Sequence, residues 1–553
     1  MLTSWFSVSR NYLAAQLRRW LSSNNTLEAD SPLTPVDMAR LYHAMPHSVT
    51  SAIDDTSWKD LLADEYLNRI ASKSSIFSQQ MLYRNLRTGL NEEDCCALGE
   101  RLQILVSDPV QLQRLHQHCR SLRQAETDIT RLLFTTTEPE KPFWVKYLRC
   151  LPAALVGSIA LAWYFPVIWI IPLLLTYLLM SAQMHYSAQL AIWASQMKSI
   201  QILLQFYSLP NISAHPLTRH FADKRVEASR LNRRLSRSSV NLIPGMREYR
   251  DWFLLDNIRH YFKTSAIVFQ ERAFLSQCYL EVAGFEANIT LARHLLQTPV
   301  WCYAVRCQHQ HLLLQQAVHP LLNSASPLDL DLQDKGAFIS GQNGSGKSTL
   351  LRCVGLNLLV ARAFGFCYAR KAALPAIPVL TSMQNEDSLL TGESLYMAEL
   401  GRAQELLASA RQQHAIYLID EIFRGTNHME SVSSACAVLE TLADKGLVIV
   451  SSHNLILATL LRHKLTPLHI SADHHGKRQL LPGILEKTNG ISLLNSQGFD
   501  PAITARASQV SAWLSRYLAH PENCPDVNPA DCNEAPQTMT FDGDANMPMP
   551  VNS

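Results

Sequence analysis

The chain has 553 residues, 47% of them hydrophobic and 17% charged, with a formal net charge of +2. This is the composition of a globular chain with room for several domains and large cores, and a charge so near zero argues neither for nor against nucleic acid, because a basic face can sit on a neutral whole. Its 12 cysteines are scattered with no Cys-x-x-Cys spacing, which gives no sign of a zinc site or a disulfide framework and fits reduced cytosolic thiols.

In chain order, residues 1–34 read as an amphipathic segment. Arg10, Gln16, Arg18 and Arg19 interrupt it, so no cleavable secretory signal is expected, and Trp5, Phe6, Leu13, Leu17 and Trp20 can form the apolar face of a packed or interfacial helix. From 35 to 147 apolar residues recur at helical spacing; Val110, Leu112, Leu115, Leu132 and Leu133, for example, can share stripes, which predicts the first part of an all-helical core. Between Arg149 and Lys198 there is no Asp, Glu, Lys or Arg. The apolar run is about 30 residues, or about 45 Å of helix against about 30 Å of hydrocarbon, so one span fits with residues to spare. Two short passes fit only across 148–190, with Tyr164 to Pro166 as the turn. Lys141, Lys146 and Arg149 precede the run, and Lys198, Arg219, Lys224 and Arg225 follow it, so both flanks carry the cytoplasmic mark and a hairpin is favoured over a single pass.

A second helical stretch is expected over 198–315. Within it, Arg225 to Arg250 forms a basic run that suits a solvated helix face near anionic lipid or a DNA backbone, although no aromatic residues interleave it for base stacking. The last residues, 518–553, contain no Lys or Arg and are rich in Pro, Asn and Asp, which predicts a disordered tail.

From Gly336 the pattern becomes alternating strand and helix. Ala337 to Ser340 is a short apolar strand leading into "GQNGSGKST", Gly341 to Thr349, whose glycines let successive backbone amides turn towards phosphate oxygens. Lys347 would face the β and γ phosphates, and Ser348, in the first turn of the following helix, would reach Mg2+. A second apolar strand, Ala415 to Ile419, ends in Asp420 and Glu421. A carboxylate there suits the water shell of Mg2+ and its neighbour can orient or deprotonate an attacking water, so the pair points to hydrolysis. A third strand, "GLVIVSSHN", delivers His453 as a hydrogen-bond donor to the γ-phosphate.

"GQNGSGKSTLLRCVGLNLLVARAFGFCYA", "EDSLLTGESLYMAEL", "LIDEIFRGTN" and "VIVSSHN" together resemble, in order and spacing, the ATPase domain of the MutS family, itself similar to ABC-type ATPases. The likeness extends to "AVHPLLN" ahead of the domain and to "KTNGISLLNSQGFDPAITARASQVSAWL" as closing helices, and more weakly to residues 54–90 as the start of the family's core and lever. Together with the uncharged run it gives a multidomain chain: an N-terminal all-α core and lever (35–147 and 198–315), interrupted by the transmembrane hairpin expected from that run, then an α/β P-loop NTPase domain of ABC/MutS type over 316–517, as the resemblance implies. It also implies ATP and Mg2+ as ligands and a homodimer in which each copy completes its neighbour's site with Ser394, behind Gly392. The nucleotide-binding set implied is Gly341, Asn343, Gly344, Ser345, Gly346, Lys347, Ser348 and Thr349, with Ser348 and Asp420 on the metal and Lys347, Glu421 and His453 in catalysis. Gln342 and Gly344 stand where the family usually has Pro and Met, and Phe423 where it has Gly.

The mismatch-repair members' wedge domain has no counterpart, since the only Phe-x-Glu triplet, Phe269 to Glu271, falls in a helical pattern without a glycine-rich setting. The expectation is therefore a membrane-anchored ATPase on the cytoplasmic side of the inner membrane, coupling hydrolysis to lever motion and contacting membrane lipid. A membrane-tethered DNA-repair homologue and an ABC-type transporter component are the alternatives.

Overall fold

The computed structural model describes residues 34–517 apart from 47–51, 149, 209–215, 238–250, 252–254, 308–310, 324–325, 343, 384–394, 473–477, 486–493 and 495–496. The amphipathic segment before Thr34, most of the basic run beyond Arg237, the tail after Tyr517, and Asn343, Gly392 and Ser394 lie outside the described residues.

The chain begins with helices α1 (Pro35–Ala44), α2 (Asp55–Asp60), α3 (Ala63–Ala71), α4 (Ile76–Thr88), α5 (Glu92–Ser107) and α6 (Pro109–Cys119). Their starts are written locally. Thr34, Asp54, Asn91 and Asp108 each accept a hydrogen bond from a backbone amide of the first turn, and Pro35 and Pro109 take first-turn positions where no amide is needed. Apolar stripes from these helices meet α11 (Arg272–Gln297), which packs against α4, α5 and α6 and buries Tyr279, Val282 and Ile289.

Between them projects an arm. Helix α7 (Cys150–Tyr164) turns through Pro166–Trp169 into α8 (Ile170–Phe206), and the two legs contact each other. Most large apolar side chains on the arm face outwards: Trp163 is 79% exposed, Val167 86%, Ile170 71% and Leu173 67%. At its other end α8 changes partners without a break, and Trp193, Met197, Ile200, Leu203 and Phe206 enter the main core. A smaller cluster of Val145, Leu148, Leu155, Leu179, Leu255, Ile258 and Phe262 fastens the arm to α10 (Asp256–Gln270). The basic helix α9 (Arg219–Leu235) packs along α8. Helical spacing ends at Gln297, earlier than the expected 315; β1 (Cys302–Tyr303), β2 (Val305–Cys307) and β3 (His311–Ala317) follow. In β3 Leu312 and Leu314 are buried in alternation, and an apolar run this short cannot be told from a helix by period alone.

The C-terminal part is α/β. It comprises β4 (Leu328–Gln333), β5 (Gly336–Ser340), α12 (Lys347–Phe364), β6 (Phe366–Cys367), β7 (Lys371–Pro375), β8 (Val379–Ser382), α13 (Leu395–Gln412), β9 (Ile416–Asp420), α14 (His428–Ala443), β10 (Leu447–Ser451), α15 (Leu455–Leu460), β11 (Leu465–Ala472), β12 (Arg478–Pro482) and α16 (Pro501–Tyr517). The main sheet runs β12-β11-β5-β10-β9-β8, parallel except for β12, beside a four-stranded sheet β2-β7-β3-β4 and the short pair β1-β6. β5 and β10 are buried throughout, as strands covered on both faces require.

One face of the main sheet is covered by α13, α14 and α15. The other is covered by α12, and α12 in turn packs on α4, so the helical body and the nucleotide fold share one continuous core. Gly355 makes that approach possible, because a Cβ there would collide with Leu61 and Leu418. Polar ties close the same joint: Asp60 accepts from the Thr381 hydroxyl at 2.6 Å and the Met383 amide at 2.9 Å, and buried Arg402 of α13 pairs with Asp54 at 2.9 Å.

Candidate functional site

The site forms at the carboxyl ends of β5, β9 and β10, which lie side by side in the sheet, where open α/β sheets place ligands. After β5 the backbone turns through Gly344 (φ +75°) and Gly346 (φ +96°), left-handed conformations natural to glycine, and α12 begins at Lys347. Within this turn the Ser345 hydroxyl is buried and, among the described residues, has no hydrogen-bond partner. A buried hydroxyl in a glycine loop at a helix N-terminus fits an anionic oxygen ligand, because phosphate supplies the acceptor that the protein does not.

Lys347 is 6% exposed and donates to the carbonyls of Gly341 at 3.0 Å and Gln342 at 3.3 Å. Burial pulls its pKa down, opposed by the carboxylates of Glu421 and Asp420. His453, two residues past β10, places Nε2 2.8 Å from Glu421 Oε1 and 3.3 Å from Lys347 Nζ. One ring nitrogen cannot donate to a carboxylate and accept from an ammonium at once. The shorter distance assigns the proton to Nε2, donated to Glu421. Burial first, and the Lys347 charge second, hold the His453 pKa below the ordinary imidazole value, against the pull of Glu421 and Asp420, which keeps the ring neutral with that single proton.

Glu421 and Phe423 both sit in the left-handed region, at φ +57° and +56°. For side chains with a Cβ this costs about 1–2 kcal/mol each and is held only by the surroundings. Here the Glu421 amide donates to the Ser451 carbonyl at 2.9 Å, and Phe423 is buried near Tyr396. Asp420 accepts a hydrogen bond from Ser451.

The structure thus brings Lys347, Asp420, Glu421 and His453 together beside the loop. Ser348 and Thr349 lie in the first turn of α12, while Asn343, Gly392 and Ser394 fall outside the described residues. Two contributors lie within the stretches quoted above, where the sequence reading gave them no role. Arg424 pairs with Glu421 and with the buried carboxylate of Glu399 on α13, each at 3.4 Å, linking the Glu421 carboxylate to the helix that follows the Gly392–Ser394 segment. Their only sequence signal is nearness to "DE" and "TGES", which does not reveal pairing. Among the described residues no three His, Cys, Asp or Glu side chains gather to hold a metal. Ser348 and Asp420 are the donors present, and so small a protein share is ordinary for Mg2+, which binds through one or two protein oxygens together with phosphates.

Residues 337–515 match the family MutS domain V. The chain carries a MutS domain V. That match spans every site residue described here. The chain is 30% identical over 206 residues to the DNA mismatch repair protein MutS of Thermus aquaticus, covering 35% of this chain and 25% of that protein. It is 26% identical over 307 residues to the same-named protein of Chlorobium chlorochromatii (strain CaD3), covering 50% and 34%, and 30% identical over 190 residues to that of Thermotoga sp. (strain RQ2), covering 33% and 24%. The matched stretches span 24–34% of the length of these curated relatives.

Lys224, just ahead of the basic run, pairs with Glu281, and within the run Arg234 pairs with Glu271 at 2.8 Å and Arg237 with Asp251 at 3.1 Å. Glu271, of the Phe-x-Glu triplet, is therefore a structural ion-pair partner, and Phe269 lies beneath Arg272.

Proposed function

We propose that the chain is a membrane-anchored MutS-like ATPase that hydrolyses ATP as a homodimer and passes its nucleotide state to a pair of apolar arms. The convergence of Lys347, Asp420, Glu421 and His453 on the phosphate loop carries this reading. ATP would lay its phosphates along Gly341 to Thr349, and Ser348 and Asp420 would hold Mg2+, which supplies neutralisation of phosphate charge. When a γ-phosphate oxygen takes the Nε2 proton of His453 as its hydrogen bond, Glu421 loses that partner and its carboxylate can accept the proton of the attacking water. Ser394 of a second copy would complete the site. Because Ser394 leads into α13, whose Glu399 reaches Glu421 through Arg424, closing the pair bears on each copy's own catalytic carboxylate.

The arm supports the membrane half of the proposal. Val167–Phe206 is long and apolar enough to cross a bilayer, and only 11% of its most apolar 18 residues are buried. The 15 residues of α7 give about 22 Å, short of about 30 Å of hydrocarbon. A hairpin keeps both basic flanks, and hence the ATPase, on one face of the inner membrane whether or not this shorter leg reaches the far headgroups. Packing runs unbroken from α12 to α4, α11 and α8, the route by which movement of the phosphate-loop helix would reach the arm.

A second reading, duplex DNA as ligand, draws on Arg225, Arg230 and Arg233, which stay exposed on α9. The test is phosphate release by the purified full chain in detergent, with and without Mg2+, anionic lipid and duplex DNA. Mg2+-dependent hydrolysis whose specific activity rises with protein concentration is expected. No hydrolysis under any condition contradicts the proposal, and stimulation by DNA that fades with salt selects the second reading.

A further inference from the structure

The last glycine of the phosphate loop has an unexpected neighbour. Arg478, the first residue of the edge strand β12, donates from Nη2 to the Gly344 carbonyl at 3.2 Å, and its Nη1 lies where a Cβ on Gly346 would stand. The φ of +96° favours glycine at 346, and the absence of a side chain there leaves room for the guanidinium to lie over the loop. Among the described residues no carboxylate pairs with Arg478, and the residue is exposed. An arginine with no carboxylate partner among the described residues, held against a loop built to receive anionic oxygens, beside the buried hydroxyl of Ser345, is placed for an anionic ligand.

We infer that Arg478 is a phosphate-binding residue of this site, a second cation that joins Lys347 in holding the polyphosphate tail of the nucleotide. The inference rests on the nucleotide reading above and adds a contact from a strand outside the phosphate-loop, Asp-Glu and histidine motifs. Lys347 is buried beneath the loop and held by its carbonyls. Arg478 approaches from the exposed side with four guanidinium N–H groups beyond the one given to Gly344. A planar fork there recognises phosphate oxygens rather than a base, so the contact should be indifferent to adenine or guanine and sensitive to phosphate number. No sequence motif marks it, because the hairpin of β11 and β12 brings residue 478 to residue 344 across the fold.

The experiment measures binding of fluorescent ATP, ADP and GTP analogues to the full chain in detergent, for the parent protein and for Arg478→Ala, Arg478→Lys and Lys347→Ala, with thermal melting of each without nucleotide. A charged hydrogen bond of this kind corresponds to about a 10- to 100-fold change in affinity. Arg478→Ala is expected to weaken ATP and GTP analogues alike by that factor, ADP less, with Arg478→Lys recovering part and melting unchanged. Parent-like affinity in Arg478→Ala, with Lys347→Ala impaired, overturns this inference alone. A weakened Arg478→Ala whose melting temperature falls equally, and which Arg478→Lys does not rescue, also overturns it, as that pattern belongs to loop support. Absence of binding by the parent protein overturns the nucleotide reading and this inference together.

Discussion

Domain V and the arm are built from the same apolar alphabet and treat it in opposite ways. In domain V, β5 and β10 have no exposed residue and α12 is buried along almost its whole length, between the sheet and the helical body. On the arm, Val156, Trp163, Val167, Ile170, Leu173 and Tyr177 are all more than two-thirds exposed. The difference lies in the partner. Protein covers the first set, and the second set leaves large apolar side chains exposed on one projecting arm, of a kind that soluble domains rarely gather in water. Helix α8 belongs to both regimes, with an exposed apolar upper part and a lower part inside the core, and it is the element that joins them.

The largest effect that tests the contrast is chemical. Glu421→Gln should lower kcat by about 10²- to 10⁴-fold while retaining nucleotide binding, with melting and arm behaviour unchanged; steady-state phosphate release and analogue binding check it. Packing comes next. Leu351→Ala, at a fully buried position on α12, should cost about 2–5 kcal/mol in denaturant unfolding, whereas Leu173→Ala on the arm should stay within about 0.5 kcal/mol. Equal costs would erase the distinction. The reverse substitution sharpens it: Leu174→Arg, at an exposed arm position, should weaken vesicle association by about 100-fold, matching about 2.5–3.5 kcal/mol for arginine in hydrocarbon, and leave hydrolysis in detergent intact.

The smallest effect lies inside the helical body. Glu286 of α11 is buried where Ser75, by amide and hydroxyl, bonds its carboxyl at the start of α4, and burial pushes its pKa up to about 7. A carboxyl whose folded pKa lies above its unfolded value favours the fold while protonated, so that contribution is complete below the unfolded pKa and lost as pH rises through about 7. Stability should fall between pH 5 and 8 by on the order of 2 kcal/mol, and Glu286→Gln should flatten the slope. An unchanged slope in the variant removes Glu286 from this role.

Much of domain V was legible because its chemistry is local in sequence: the glycine loop, the Asp-Glu pair after one strand and His453 after another each announce themselves within a few residues. The conformations at Glu421 and Phe423 were half legible. Phe423 stands where the resembling family has glycine, and the structure finds φ +56° there, a backbone that glycine adopts without strain. Long-range partners were not legible. Nothing near Arg478 points to Gly344, nothing near Asp60 points to Thr381, and Arg424 meets Glu399 only because α13 packs beside β9's exit. In the arm, the uncharged run disclosed an apolar element and its turn near Pro166, but not that α8 continues unbroken into the core at Trp193, since period and hydropathy change gradually where burial changes abruptly.

The most direct test of the account is flotation of the purified full chain with neutral phosphatidylcholine vesicles in high salt, assayed for ATP hydrolysis in each fraction, since salt screens electrostatic attachment and leaves apolar insertion. The account predicts that protein and activity rise together with the vesicles. Fully active protein remaining at the bottom of the gradient would contradict it.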